Sequence, residues 1–362
     1  MFGPGFHADV DPFTRAPTVE TSRPTAAEQD TESIASGVLP MVWGGGLVAE
    51  GQADAKVMSY NYRLCLTNAT TASGGKRFEL SKPTGYDPTQ FELLRRYFRV
   101  SSPPKSLSPG VLKIYAVAFS GDGIKADVNS AEFPISTNLV GGSWGYPNGT
   151  AVERAAIIAQ HKLYTKSLLW FWKTDSAVPP HLRAEMAQWA YCGDEFLQNE
   201  HFPTQLYVRE GRRMVGQQVV TQRDATDPAR ARSAGIASIA VADYAFDVHP
   251  VEIVPDTNLD AASDAARAVV EGCIGSRPGG WQIPFAAITP RATDASNLLV
   301  PVALSASHVA FASIRLELTW MALGQSAGIA AALAATQQLE VQRIPLPVLH
   351  QRLVAAKQVL DP

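Results

Sequence analysis

Near the end of the chain an apolar run, LLVPVAL (298–304), stops at a short turn, Ser305-Ala306-Ser307-His308, and leads on to the Ala- and Gly-rich segment MALGQSAGIAAALAA (321–335). The pattern predicts a strand opening at Asn297-Leu298 and a helix over 319–335. Gly324, Ser326, Ala327 and Gly328 on that helix lack the bulk that would hold off a neighbouring sheet or a planar ligand. Tight helix–sheet packing and close approach of a cofactor are both consistent with this composition.

With 362 residues, 46% of them hydrophobic and 18% charged, the chain can bury the core of one large or two ordinary domains. The balance of 31 basic against 34 acidic side chains gives no reason to expect a nucleic-acid partner. No membrane-spanning run is expected either. Cys65, Cys192 and Cys273 lie far apart, without the pair spacing of zinc or iron–sulfur ligands, so they are expected to be free thiols and no metal site is expected. The first thirty residues carry no basic-then-apolar leader, and the compartment stays unassigned.

Residues 14–35, rich in Thr, Pro, Ser, Asp and Glu, read as a loop or disordered arm, and a Gly-rich turn follows at 43–46. Strands are expected over 57–67 and 111–119, with a helix between them at 89–99. The longest helix is expected over 150–174, and a second one follows the Pro179-Pro180 punctuation through LRAEMAQWAY. The segments at 205–210 and 212–222 read as extended, and 236–254 holds two apolar runs. An Ala/Asp-rich stretch at 257–280 suggests a peripheral insertion with a helical piece, and a last amphipathic helix covers about 346–358.

Several polar residues stand out for their chemistry. Arg209, Arg212 and Arg213 crowd around Tyr207 and Glu210, a guanidinium density that suits carboxylate or phosphate recognition or, equally, a solvated basic face. Asp247 and His249 alternate, which puts both on one face of an extended segment; a histidine oriented by a carboxylate can accept a proton, and a pair of surface polar residues is the plainer reading. Arg315 and Glu317 share one side of a segment read as extended, either to anchor an anionic substrate group or to pair with each other.

The strings YNYRLCLT (60–67), STNLVGGSW (136–144), QLYVRE-x-RRMVG (205–216), NLLVPVALSASHVAFASIR (297–315) and WMALGQSAG (320–328) resemble, in this order, the FAD-dependent oxidoreductase family related to xanthan-lyase-like and heterodisulfide-reductase-A-like flavoproteins. The resemblance implies an α/β (α+β) fold, with a mixed, largely antiparallel-sheet substrate domain at 40–290. It implies that residues 291–362 add the C-terminal strand and helix of a Rossmann-like FAD-binding domain, after an arm at 1–39. It further implies that Ser305, Ala306, Ser307, His308, Gly324, Gln325, Ser326 and Ala327 lie beside FAD, where a helix N-terminus would stabilise the negative charge of a reduced flavin. His249, His308, Arg209 and Arg315 are the catalytic candidates toward a small-molecule substrate, with His308 as easily a structural histidine. Related sequences carry Met and Pro where this one has Leu316 and Leu318.

The family's first βαβ unit is not recognisable. Gly3-Pro4-Gly5 follows no strand, and Gly121-Asp122-Gly123 opens no helix and would turn an acidic side chain to a pyrophosphate. Weak FAD retention by this polypeptide alone is therefore expected, and association with a separate FAD-binding chain or a second copy. A different class is also open: a non-enzymatic binding module, saccharide-directed through some of the seven tryptophans.

Overall fold

The computed structural model describes residues 19–22, 39–43, 55–70, 76–100, 103–120, 123–131, 135–255 and 265–362. The glycines at 3, 5, 44–46 and 121 lie outside the described residues. The strands are β1 (Val19–Ser22), β2 (Leu64–Thr67), β3 (Arg77–Phe78), β4 (Leu112–Ser120), β5 (Gly123–Ser130), β6 (Ala190–Cys192), β7 (Ser238–Ala242), β8 (Glu252–Pro255), β9 (Ala265–Glu271) and β10 (Trp281–Pro284). The helices are α1 (Glu92–Val100), α2 (Ala151–Thr174), α3 (Pro180–Ala187), the short α4 (Gln222–Thr226) and α5 (Pro228–Ala231), α6 (His308–Ile314), α7 (Glu317–Gln337) and α8 (Leu346–Ala355).

Every ladder among the described strands is antiparallel. The largest sheet runs β3-β6-β2-β5-β4, and β1-β9-β8 and β10-β7 form two smaller ones. The hairpin β4–β5 follows from the alternation in LKIYAVAFS and GIKADVNS, which sends Ala126, Val128 and Ser130 inward. Helix α2 starts at a capping box, where the Thr150 hydroxyl accepts from the Glu153 amide and the Glu153 carboxylate accepts from the Thr150 amide. Its second half turns Tyr164, Leu168, Leu169, Phe171 and Trp172 into a core shared with Leu64 and Leu66 of β2 and with Phe91 and Leu94. The whole is an α+β fold.

A second core collects Ile239 and Ala240 of β7, Trp281 and Ile283 of β10, Val309 and Ala310 of α6, Leu323, Ala327 and Ala330 of α7, and Leu353 of α8. The extended segment 57–62 runs between the two cores. Met58 belongs to the second, whereas Val57, Tyr60 and Tyr62 belong to the first. Polar groups that fall between two apolar bodies lose water and must find partners, so this seam is where the charged residues concentrate.

The helices expected at 89–99, 150–174 and 346–358 form close to those bounds, as does the strand at 111–119. Several expectations need correction. The run at 298–304 is not a strand: Pro301 has no N–H to give a ladder, Leu298 and Val302 face outward, and only single bonds, such as Val300 N–H to the Ile288 carbonyl at 2.9 Å, hold it. Arg315 and Glu317 do not sit on an extended segment. Ser307 caps a helix earlier than expected, so that Arg315 closes α6 and Glu317 opens α7. The strand over 57–67 is regular only from Leu64.

Within 257–280 the described residues form β9 and no helix, because AARAVVE pairs through Val269 and Val270 with β8. Part of the N-terminal stretch read as loop, Val19–Ser22, pairs with Ala265–Ala268 of β9. Cys65 and Cys192 are not thiols. They stand on the neighbouring strands β2 and β6 with Cα atoms 5.5 Å apart and form a disulfide, although 127 residues separate them. Helix α7, at 21 residues with mean hydropathy 1.3, is long and apolar enough to cross a bilayer, contrary to the expectation that no such run exists. Its inner face packs in the second core.

Candidate functional site: a buried charged layer between two cores

Arg209 and Glu210 are consecutive in sequence, and the segment 57–62 grips both. The Arg209 guanidinium donates to the Ser59 carbonyl, to Asn138 Oδ1 at 2.9 Å and to Asn61 Oδ1 at 3.0 Å. Glu210 accepts from the Met58 amide at 2.6 Å, and its own carbonyl accepts from the Tyr60 hydroxyl. Adjacent residues on extended backbone point to opposite sides. The segment at 209–210 therefore divides the layer into an Arg209 half and a Glu210 half.

In the Glu210 half the carboxylate accepts from Arg213 at 3.0 Å and from the His308 Nδ1–H at 2.9 Å. Arg213 also donates to the Ala306 carbonyl at 2.9 Å. Burial works to raise the Glu210 pKa, but His308, Arg213 and the Met58 amide outweigh it and hold the carboxyl at about 2. The group stays ionised and acts as the fixed anion of this half.

The Arg209 half contains the other two catalytic candidates. Arg315 donates to Asp247 Oδ2 at 2.6 Å, to the Asp247 carbonyl at 2.9 Å and to the Tyr207 hydroxyl at 3.1 Å. His249 Nε2 stands 3.4 Å from Asp247 Oδ1, and His249 Nδ1 stands 3.3 Å from Asn138 Nδ2. Because Asn138 Oδ1 already accepts from Arg209, its amide nitrogen must donate, so His249 accepts at Nδ1 and carries its proton on Nε2 toward Asp247. Burial first, then the Arg209 charge, pulls the His249 pKa down to about 3, against the pull of Asp247. Asp247 is held well below the usual carboxylate range by His249 and Arg315, although burial opposes this. The imidazole is neutral at physiological pH.

Charge is not balanced across the layer. Arg213 has Glu210, and Arg315 has Asp247. Arg63, also against the Tyr207 ring, has Asp127. Arg209 is 2% exposed; among the described residues its hydrogen bonds go to neutral oxygens, those of Ser59, Asn61, Asn138 and, at 3.5 Å, Asn129, and the Tyr207 ring centroid lies 5.2 Å from its guanidinium. Burial and the neighbouring Arg315 bring its pKa down to about 9, still above neutrality, so the side chain stays charged. Arg212 is exposed and takes no part.

The cofactor candidates divide. Ser305, Ala306, Ser307 and His308 are all buried. The Ser305 hydroxyl accepts from the Gly216 amide at 3.0 Å, and the Ser307 hydroxyl caps α6 through the Ala310 amide at 3.3 Å. Ser326 donates to the Ile239 carbonyl at 2.6 Å, and Ala327 packs in the second core. Gly324 and Gln325 lie instead on the outward side of α7, in line with Leu318, Met321 and Gly328. Of these, Leu318 and Met321 are 79% and 69% exposed. A Cβ added at Gly324 or Gly328 would meet nothing within 4 Å.

The profile of the family described as FAD dependent oxidoreductase matches residues 11–353. The chain belongs to that family. No curated protein and no solved structure matches it. Membership implies FAD at the level of the family, and the fit of these residues to FAD is partial. The outward face of α7 is apolar, small-residued and open, which suits contact with a planar ring. Nothing comparable serves the pyrophosphate: among the described residues no parallel βαβ unit is present, and no glycine-rich turn leads from a strand into a helix.

Sequence reasoning reached Arg209, Asp247, His249, His308 and Arg315, and the structure gathers all five into one layer. It passed over Glu210 as a mere neighbour of arginines, and over Asn61, Asn129 and Asn138 altogether. A signal was present. Asn61 and Asn138 interrupt the apolar strings YNYRLCLT and STNLVGGSW, and a buried amide in such a string needs a polar partner. Trp172, Trp189 and Trp281 are buried in the cores, which removes them from any sugar-stacking surface.

Proposed function

We propose that this chain supplies the substrate-recognition part of a flavin-dependent oxidoreductase, a class in which a carbon-bound hydrogen passes as hydride to a flavin. The buried charged layer carries the reading. A guanidinium held among neutral amides, next to a neutral histidine of fixed tautomer, is costly to keep in a core, and recognition of an anionic substrate gives it a purpose. Arg209 and Arg315 provide positive field, Asp247 and Asn138 orient His249, and Glu210 with Arg213 and His308 braces the segment that carries Arg209.

Gly324 and Gln325 are positioned to touch a flavin ring, while Ser305, Ala306, Ser307, His308, Ser326 and Ala327 build the wall behind. A dinucleotide-binding unit on a separate chain would meet the exposed face of α7. A polypeptide of this sequence alone is expected to hold FAD weakly.

The test is to purify that polypeptide, remove free flavin, measure the ratio of flavin to protein absorbance and then titrate FAD by quenching of its fluorescence. Occupancy well below one FAD per chain with weak, saturable rebinding is expected. A stoichiometric yellow protein would overturn the weak-retention claim, and no saturable binding at millimolar FAD would overturn the flavin reading itself.

A further inference from the structure

Between Cys192 and Phe202 three residues other than glycine stand in left-handed backbone: Phe196 at φ 50°, Glu200 at φ 55° and His201 at φ 60°. In that region the Cβ crowds the following carbonyl, a clash that glycine escapes. Such strain persists only where the surroundings hold it in place. The ties along this loop are surface ones. Lys125 reaches Glu195 and, at 3.2 Å, Asp194; Lys166 reaches Glu200 at 2.8 Å, and Lys162 donates to Asn199 Oδ1 at 3.0 Å. Exposed ion pairs hold little, so the loop conformation depends on its two ends.

The far end is anchored by Phe202, fully buried between the rings of Tyr62 and Tyr191, whose centroids lie 4.7 and 6.0 Å away. From there the chain leads to Tyr207, bridged to Asn61, and on to Arg209. The near end is Cys192. It closes β6, which is only three residues long. The pairs Thr67–Ala190 and Leu66–Tyr191 continue in register to Cys65 opposite Cys192, so the disulfide is the last tie to β2 before the loop begins. Alternation on β2 turns Leu64 and Leu66 into the core and leaves Cys65 partly exposed, whereas Cys192 is buried. A reductant meets Cys65 first.

We propose that Cys65–Cys192 is a redox-sensitive clasp: reduction releases the strained loop at 193–201, and oxidation seats it again. The reductant is a dithiol. One of its thiolates attacks Cys65 Sγ, the S–S bond breaks, and Cys192 leaves as a thiolate that takes up a proton. The second thiolate then attacks the mixed disulfide and frees Cys65. The dithiol, oxidised by two electrons, departs as a cyclic disulfide, and the protein bond takes up the same two. Through Phe202 the loop is continuous with the segment that presents Arg209 and Glu210, so the redox state bears on the charged layer. No flavin is needed, and the inference stands apart from the reading above.

The experiment treats the full chain with dithiothreitol under native conditions, counts thiols after quenching and denaturation, and probes the loop by brief chymotrypsin digestion with mass analysis. Phe196 and Leu197, the latter 68% exposed at the tip, are the reporter sites. Reduction should add two thiols per chain and speed cleavage after Phe196 or Leu197 at least tenfold, with circular dichroism and cleavage elsewhere unchanged. Reoxidation should restore protection. Cys65→Ser and Cys192→Ser should each be cut at the fast rate with or without dithiothreitol, and the wild-type comparison decides the matter even if a variant fails to fold. An unchanged loop rate in protein that has gained the two thiols would overturn the proposal. So would failure to gain them in the folded state, and so would general loss of structure on reduction, which would make the bond a structural staple.

Discussion

Glu210 and His308 are 98 residues apart in sequence, yet His308 Nδ1 lies 2.9 Å from the Glu210 carboxylate, with both side chains buried. The contact joins the segment that presents Arg209 to the first turn of α6. It explains why neither residue could be weighed alone. His308 had been open to a structural or a flavin-facing role, and its Nδ1–H is committed to Glu210.

Replacing Glu210 with Gln should be strongly destabilising, because it leaves the Arg213 charge buried without its counter-ion. About 3–5 kcal/mol is the usual cost of removing one partner of a buried pair. Urea unfolding of the wild type and the variant measures it directly. The pH response has a definite sign. The Glu210 carboxyl is held at about 2, below the unfolded value of about 4.3, so its contribution is complete above pH 4.3 and is lost as pH falls toward 2. Glu210→Gln should remove this part of the acid-unfolding slope.

His249 makes an earlier and separable contribution. Its pKa is about 3 in the folded chain against about 6.5 unfolded, so below pH 6.5 the unfolded state takes up a proton that the folded state refuses. Stability is thus complete above pH 6.5 and falls as pH drops from 6.5 toward 3. His161, whose pKa burial lowers to about 4, acts in the same direction. Each contributes at most about 1.4 kcal/mol per pH unit in that window. His249→Asn should reduce the slope by roughly half, and nitrogen-15 imidazole shifts at pH 5 should show the Nε2–H tautomer for His249. A charged imidazole at pH 5 would contradict the arrangement with Asn138 and Asp247.

Much of the fold could be read from local pattern, and much of the layer could not. The capping residues Thr150 and Glu153 and the alternation in 112–119 are short-range signals that act within a few residues, and those elements formed where expected. The Cys65–Cys192 bond, the Glu210–His308 contact and the coupling of Asn138 to His249 depend on strand order and domain packing, which no spacing encodes. The expected strand at 298–304 failed for a local reason that was visible. Pro301 stands in the middle of the run, and the apolar character of its neighbours outweighed that warning.

The Cys65–Cys192 disulfide should contribute measurably to stability, since it closes a loop of 127 residues in the unfolded chain. Loop-closure entropy gives about 5 kcal/mol as an upper figure for such a length. Thiol titration of the denatured, unreduced protein should find one reactive cysteine, Cys273, and three after reduction. Melting in the presence of a reductant should occur well below the oxidised value. Three thiols in protein prepared under oxidising conditions would remove the bond from the account.

Gly324 and Gly328 allow stability and cofactor contact to be told apart, because the two should move in opposite directions. Both stand on the open side of α7, where an added methyl group meets nothing within 4 Å. Alanine is preferred to glycine in a helix by about 0.8–1.0 kcal/mol, so Gly324→Ala and Gly328→Ala should each raise the melting temperature. If that face receives a flavin ring, the larger Gly324→Val should weaken FAD binding about tenfold while leaving the fold intact by circular dichroism. A face that serves only solvent would show the gain in stability with no change in FAD affinity.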